Sequence, residues 1–195
     1  MRDTHANLRP TLRAAIAQSS PVMFNKEATL KKVVSQIEEA GRNGAALIVF
    51  PESLVPCYPY GLTFGFTVGS RSEAERADWQ RYYEQSVVVS RDLAPVAAAA
   101  KLLASTSAWA LPSGMKRRIL SIAATSSLSD GTLAAHHRKI KPTGAERYIW
   151  ADSHQPSTYF PIVQTPWGPW DPSSAGKITC HWPEPLSIKK VSAFT

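Results

Sequence analysis

Cysteine is scarce: Cys57 and Cys180 are the two in 195 residues. They are too few and too far apart for a disulfide framework or for zinc-ligand spacing, and they read as free thiols in a reducing compartment. Long apolar runs are lacking as well. No stretch approaches the roughly eighteen apolar residues of a membrane span, and the polar opening MRDTHANLRP has no apolar segment behind it to act as a secretion signal. A cytoplasmic protein without membrane contacts is expected. Acidic residues are outnumbered, 15 Asp and Glu against 22 Lys and Arg, for a net charge of +7. That balance would raise nucleic acid as a partner. The basic residues are scattered, however, and the tight cluster Lys116-Arg117-Arg118 comes with no zinc-finger, RNP-type or basic-helix motif, so no nucleic-acid partner is expected. Apolar residues, at 44%, suffice for one globular domain with a core.

The opening of the chain has a clear α/β rhythm. LRAAIAQ, residues 12 to 18, reads as a buried strand stopped by Pro21. Asn25 can cap a helix with Glu27 in its first turn and an apolar stripe at Leu30, Val33, Val34, Ile37 and Ala40, ended by Gly41 and Gly44. The apolar run Ala45 to Phe50 is a second strand, giving β-α-β with parallel strands covered on both faces. Whatever follows Phe50 therefore sits at the C-terminal end of a strand, where α/β proteins place their chemistry. Residues 51 to 71 read as an ordered loop. A helix follows with a capping box of Ser72 and Glu75 and with Trp79, Tyr82, Tyr83 and Val87 on one face. Residues 104 to 128 have no strand or helix period, residues 131 to 150 recover one, and the tail from Pro169 is expected to be irregular.

A Glu placed as Glu52 is, directly after an apolar strand and before a Pro-rich loop, is expected to be partly desolvated, a setting that suits a general base. The wider string FPESLVPCYPYGLTFGFTVGSR resembles the first signature of the nitrilase branch of the carbon–nitrogen hydrolases, with Cys57 where that family usually has Gly. HHRKIKPTGAERYIW is similar to a second signature. The resemblance implies an α-β-β-α sandwich, here incomplete at the C-terminus, as a single truncated domain over 10–195 behind a tail of 1–9. It implies a catalytic set in which Glu52 moves protons, Lys139 stabilises charge on the substrate nitrogen and Glu146 positions Lys139. No cofactor and no metal are needed. The implied partner is a small-molecule nitrile, and intact relatives are implied to be homo-oligomers. Two alternatives stay open: an amidase-like or cyanide-processing relative, and a non-catalytic basic binding protein.

The family's nucleophile lies in a TP-x-G-xx-G-xxx-CWEN string. This chain has Thr165-Pro166-Trp167-Gly168, then PWDPSSAGKITCHWPEPLS. Cys180 lacks the flanking residues and stands beyond the expected position 175, which is Ala175. Reading the tail one base earlier permits TVGSVICWENYMPLARAA over positions 169 to 186, with cysteine at position 175. The same shift over residues 105 to 128 permits a strand-turn-strand of family type. The expectation is one base lost near codon 104, compensation near codon 128 and a second loss at codon 168. It predicts a chain without a working nucleophile, and polar groups facing the core between 105 and 128.

Overall fold

The computed structural model describes residues 12–69, 72–102, 106–114, 120–127, 130–142, 144–153, 162–165, 168–170 and 188–194. Strand β1, Leu12–Ala17, is followed by helix α1, Lys26–Arg42, and strand β2, Leu47–Val49. The two strands pair in parallel, Ala14 beside Leu47 and Ile16 beside Val49. The Asn25 side chain caps α1 by accepting from the Ala28 N–H at 3.0 Å. The helix runs through Gly41 rather than ending there, and stops at Asn43 and Gly44, which holds φ +74° against the Arg13 guanidinium. Its inner face buries Leu30, Val33, Ile37 and Ala40 against Ala15, Ala17, Ile48 and Phe50 of the sheet. Each of the three larger side chains contributes about 2 kcal/mol on leaving water.

Helix α2, Glu73–Glu84, starts at Ser72, whose hydroxyl accepts from the Glu75 N–H. The Glu75 carboxylate accepts the Thr63 hydroxyl at 2.8 Å, which ties the helix start to the preceding loop. Val87 is fully buried but lies past the helix end. Two short helices, α3 (Val89–Asp92) and α4 (Ala94–Leu102), come next, and Val96, Ala99 and Ala100 of α4 are buried. The sequence reading had no helix at 94–102, because a run of alanines shows no apolar period although alanine is the strongest helix former. Lys26 clasps α1 to this region: its backbone N–H donates to Gln85, and its ammonium to the Ser86 carbonyl and to Asp92 at 2.9 Å.

Strands β3 (Thr106–Gly114), β4 (Leu120–Ser127) and β5 (Leu133–Arg138) complete one side of a six-stranded sheet in the order β5-β4-β3-β2-β1, with the C-terminal segment Ile188–Phe194 beyond β1. β3 runs parallel to β2, and the β3-β4 and β4-β5 pairs are antiparallel. The aperiodic stretch 104 to 128 thus supplies two strands. Backbone ladder bonds do not depend on side-chain period, so neighbouring strands can recruit such a segment. The direction in which its side chains face lies outside the described residues. The tail also departs from the irregular reading. Gly168–Trp170 (β7) pairs with Val163–Thr165 (β6), and Ile188–Phe194 (β8) joins the free edge of β1 in parallel. An open sheet edge offers unpaired N–H and C=O groups, and IKKVSAF carries the branched Ile188 and Val191 suited to it.

Coverage on both faces does not hold throughout. The helices cover the face bearing Ala15 and Ile48, whereas on the opposite face Ile16 is 44% and Val49 36% exposed. No described helix is long and apolar enough to cross a membrane.

Candidate active site

The register brings the site together. β2 ends at Val49, level with Ala108 of β3, and Glu52 follows three residues on. Leu111 pairs with Ala123, and Ala123 with Arg138, the residue before Lys139. β2 and β5 run in the same direction, so Glu52 and Lys139 emerge at one end of the sheet, three strand spacings or roughly 14 Å apart at the backbone. Their side chains close that gap, with Lys139 Nζ 3.1 Å from Glu52 Oε1. Strand alternation turns Ala135, His137 and Lys139 inward, so this basic run is not a solvated face. Ser53, immediately after Glu52, holds φ 58° and is fully buried, a strained turn for a residue with a Cβ, at the point where the chain bends beside the carboxylate.

Glu146 arrives on a 3-10 helix, Gly144–Tyr148, and its Oε2 lies 2.9 Å from Lys139 Nζ. The loop that carries it is closed by the Ser153 N–H to the Ile140 carbonyl and by Arg147 Nε to the Pro142 carbonyl at 3.1 Å. Burial disfavours the Lys139 ammonium, but the Glu146 hydrogen bond and the Glu52 charge outweigh it and raise the group above its ordinary value. Lys139 is therefore a fixed cation. The two carboxylates differ in surroundings, with Glu146 enclosed at 9% side-chain exposure and Glu52 open at 33%. Such asymmetry suits one to positioning and the other to proton transfer.

Sequence reasoning named Glu52, Lys139 and Glu146, and the structure brings all three into contact. It did not single out Tyr58 or Trp150, although both stand in the two quoted strings. The Tyr58 hydroxyl donates to Glu146 Oε1 across a long 3.4 Å, and burial, then Glu146 and Glu52, keep the phenol protonated. Trp150 is 2% exposed and packs on Tyr58 and Tyr82, while the Tyr82 hydroxyl donates to the Cys57 carbonyl at 3.0 Å. This second, aromatic core holds the loop after Glu52 against α2. Beside it lies a cavity of about 370 Å³ lined by Tyr58, Tyr60, Phe66, Tyr148, Trp150 and Glu146 among others. Cys57 is a free thiol in the same core, and burial pushes it up, away from the thiolate that attacks. Cys180 and Ala175 lie outside the described residues, as does the cluster Lys116-Arg117-Arg118. The described residues contain no His, Cys, Asp or Glu group able to hold a metal.

Residues 13–181 match the family model of the carbon–nitrogen hydrolases. The chain is 32% identical over 93% of its length to an aliphatic nitrilase of Sinorhizobium fredii, of which it covers 56%. It is 30% identical over 82% of its length to a bifunctional nitrilase/nitrile hydratase of Nicotiana tabacum, of which it covers 45%. The chain thus spans about half the length of the curated relatives it matches. Among solved structures, an amidase from Nesterenkonia sp. superposes with a TM-score of 0.58 at 18% identity, covering 83% of this chain and 55% of the amidase. A further structure of an amidase from this genus shows acrylamide added at its active-site cysteine. The α/β architecture is of the nitrilase type, and the chain belongs to the carbon–nitrogen hydrolase family, in its nitrilase branch.

Proposed function

We propose that this site is the Glu–Lys–Glu part of a nitrilase, which converts a nitrile to a carboxylic acid and ammonia with a cysteine nucleophile, and that the chain as it stands lacks that nucleophile. The observation that carries the reading is the Lys139 ammonium held between Glu52 and Glu146 at 3.1 and 2.9 Å. In the complete set, a thiolate adds to the nitrile carbon and the thiol proton passes through Glu52 to the nitrogen, giving a thioimidate. Lys139 donates to that nitrogen as charge develops there. Glu52 then deprotonates a water, ammonia leaves, and a second water releases the acid from the acyl-enzyme. Glu146 keeps Lys139 charged and in place, and Tyr58 steadies Glu146.

Two measurements test this. The gene's minus-one frame is expected to read TGC-TGG-GAR across codons 174 to 177; any other sequence there removes the frame explanation. Purified as written, the chain is expected to release no ammonia above background from aromatic or aliphatic nitriles. The frame-repaired protein is expected to do so, and to lose activity when position 175 is made Ala, on Glu52→Gln and on Lys139→Ala. Each change alone is expected to be nearly as severe as all three, because members of a cooperating set are not additive. Robust turnover by the unrepaired chain, abolished by Cys180→Ala, overturns the proposal.

A further inference from the structure

The cavity beside Glu146 is built mostly from rings. Phe66 and Tyr148 stack with centroids 5.8 Å apart and planes 22° apart, and both line the cavity. Tyr60 stands at the mouth, 89% exposed, while Trp150 is enclosed at 2%. Among the described lining residues Glu146 is the one charged side chain, and it belongs to a cluster of two carboxylates and one ammonium. That cluster carries one net negative charge, and two of its three members are almost entirely shielded from solvent, so salt screens it poorly.

We infer that this cavity takes an uncharged arylaliphatic nitrile, its ring among the aromatic side chains that line it, and that it rejects the corresponding carboxylate. The choice of nitrile rests on the hydrolase reading; the ring and the neutrality rest on the cavity itself. Aromatic faces favour a flat ring over a linear chain of similar size. The net negative charge repels an acid but not its neutral precursor, so the same lining that admits the substrate helps the product leave.

The test is binding rather than turnover, made on the 195-residue chain by ligand-observed NMR with phenylacetonitrile, phenylacetate and valeronitrile. Phenylacetonitrile is expected to saturate. Phenylacetate is expected to bind about tenfold more weakly, with the gap little changed by salt, and valeronitrile about fivefold more weakly. Tyr60→Ala, which removes an exposed ring and no core packing, is expected to weaken phenylacetonitrile about fivefold. Absence of saturation, equal binding of phenylacetate or of valeronitrile, or an unchanged Tyr60→Ala chain overturns the inference. Saturable aryl binding alongside an inactive frame-repaired protein overturns the hydrolase reading and leaves the cavity assignment standing. An active repaired protein with no preference for the ring overturns the cavity assignment alone.

Discussion

At the scale of single residues, two ionisable groups away from the cluster set how the fold responds to acid. Burial, then the charges of Arg138 and His137, hold His136 at about 4 instead of the usual 6.5. The unfolded chain binds that proton near 6.5 and the fold only near 4, so the stabilisation is complete above 6.5 and drains as pH falls to 4, by about 3 kcal/mol in all. Burial would raise Asp92, but hydrogen bonds from Arg91, Lys26 and the Val88 N–H hold it at about 2 against the usual 3.8. Its contribution is present above 3.8 and is lost below it; with surface screening it amounts to about 1 kcal/mol. Melting temperature is therefore expected to fall in two stages on acidification. His136→Gln is expected to flatten the first stage alone, and an unaltered slope in that variant would refute the assignment.

Among the elements, α1 is the one whose every boundary has a local cause. Asn25→Ala removes the cap on Ala28 and is expected to cost about 1 kcal/mol, read as a lower urea midpoint with an unchanged slope. A midpoint equal to the parent's would mean the Lys26 clasp alone fixes this helix start. Legibility followed the same line. Where apolar spacing matched a helix or a strand, as from Leu12 to Phe50 and from Ser72 to Glu84, the elements were readable, and so were the loop ends that carry Glu52 and Lys139. α4 was missed because alanine has propensity without pattern. β8 was missed, and β3 and β4 show no strand period of their own, because their pairing is decided by neighbouring backbone edges, which leave no mark on a single segment. Glu146 came from its motif alone, and Tyr58 and Trp150 needed the fold, since rings 92 residues apart meet only across the aromatic core.

For the whole molecule, the cluster is also a long-range tie. Glu52 and Lys139 are 87 residues apart in the chain, and their contact requires β3 and β4 to be in place between β2 and β5. The proposed chemistry and the order of the sheet are thus one and the same arrangement.

The neighbouring pair Ile16 and Val49, side by side and partly open to water on the sheet face that also buries Leu12, Ala14 and Leu47, has a colloidal consequence. Two branched side chains in register at the middle of a sheet make a sticky stripe that a reporter dye such as ANS can find. The 195-residue chain is expected to light up this dye while folded and to precipitate more readily as salt rises. The double change Ile16→Thr and Val49→Thr, which keeps the branching, is expected to lower both signals with little loss of helix content. Dye fluorescence at background in the parent chain would show that water is already kept from that stripe.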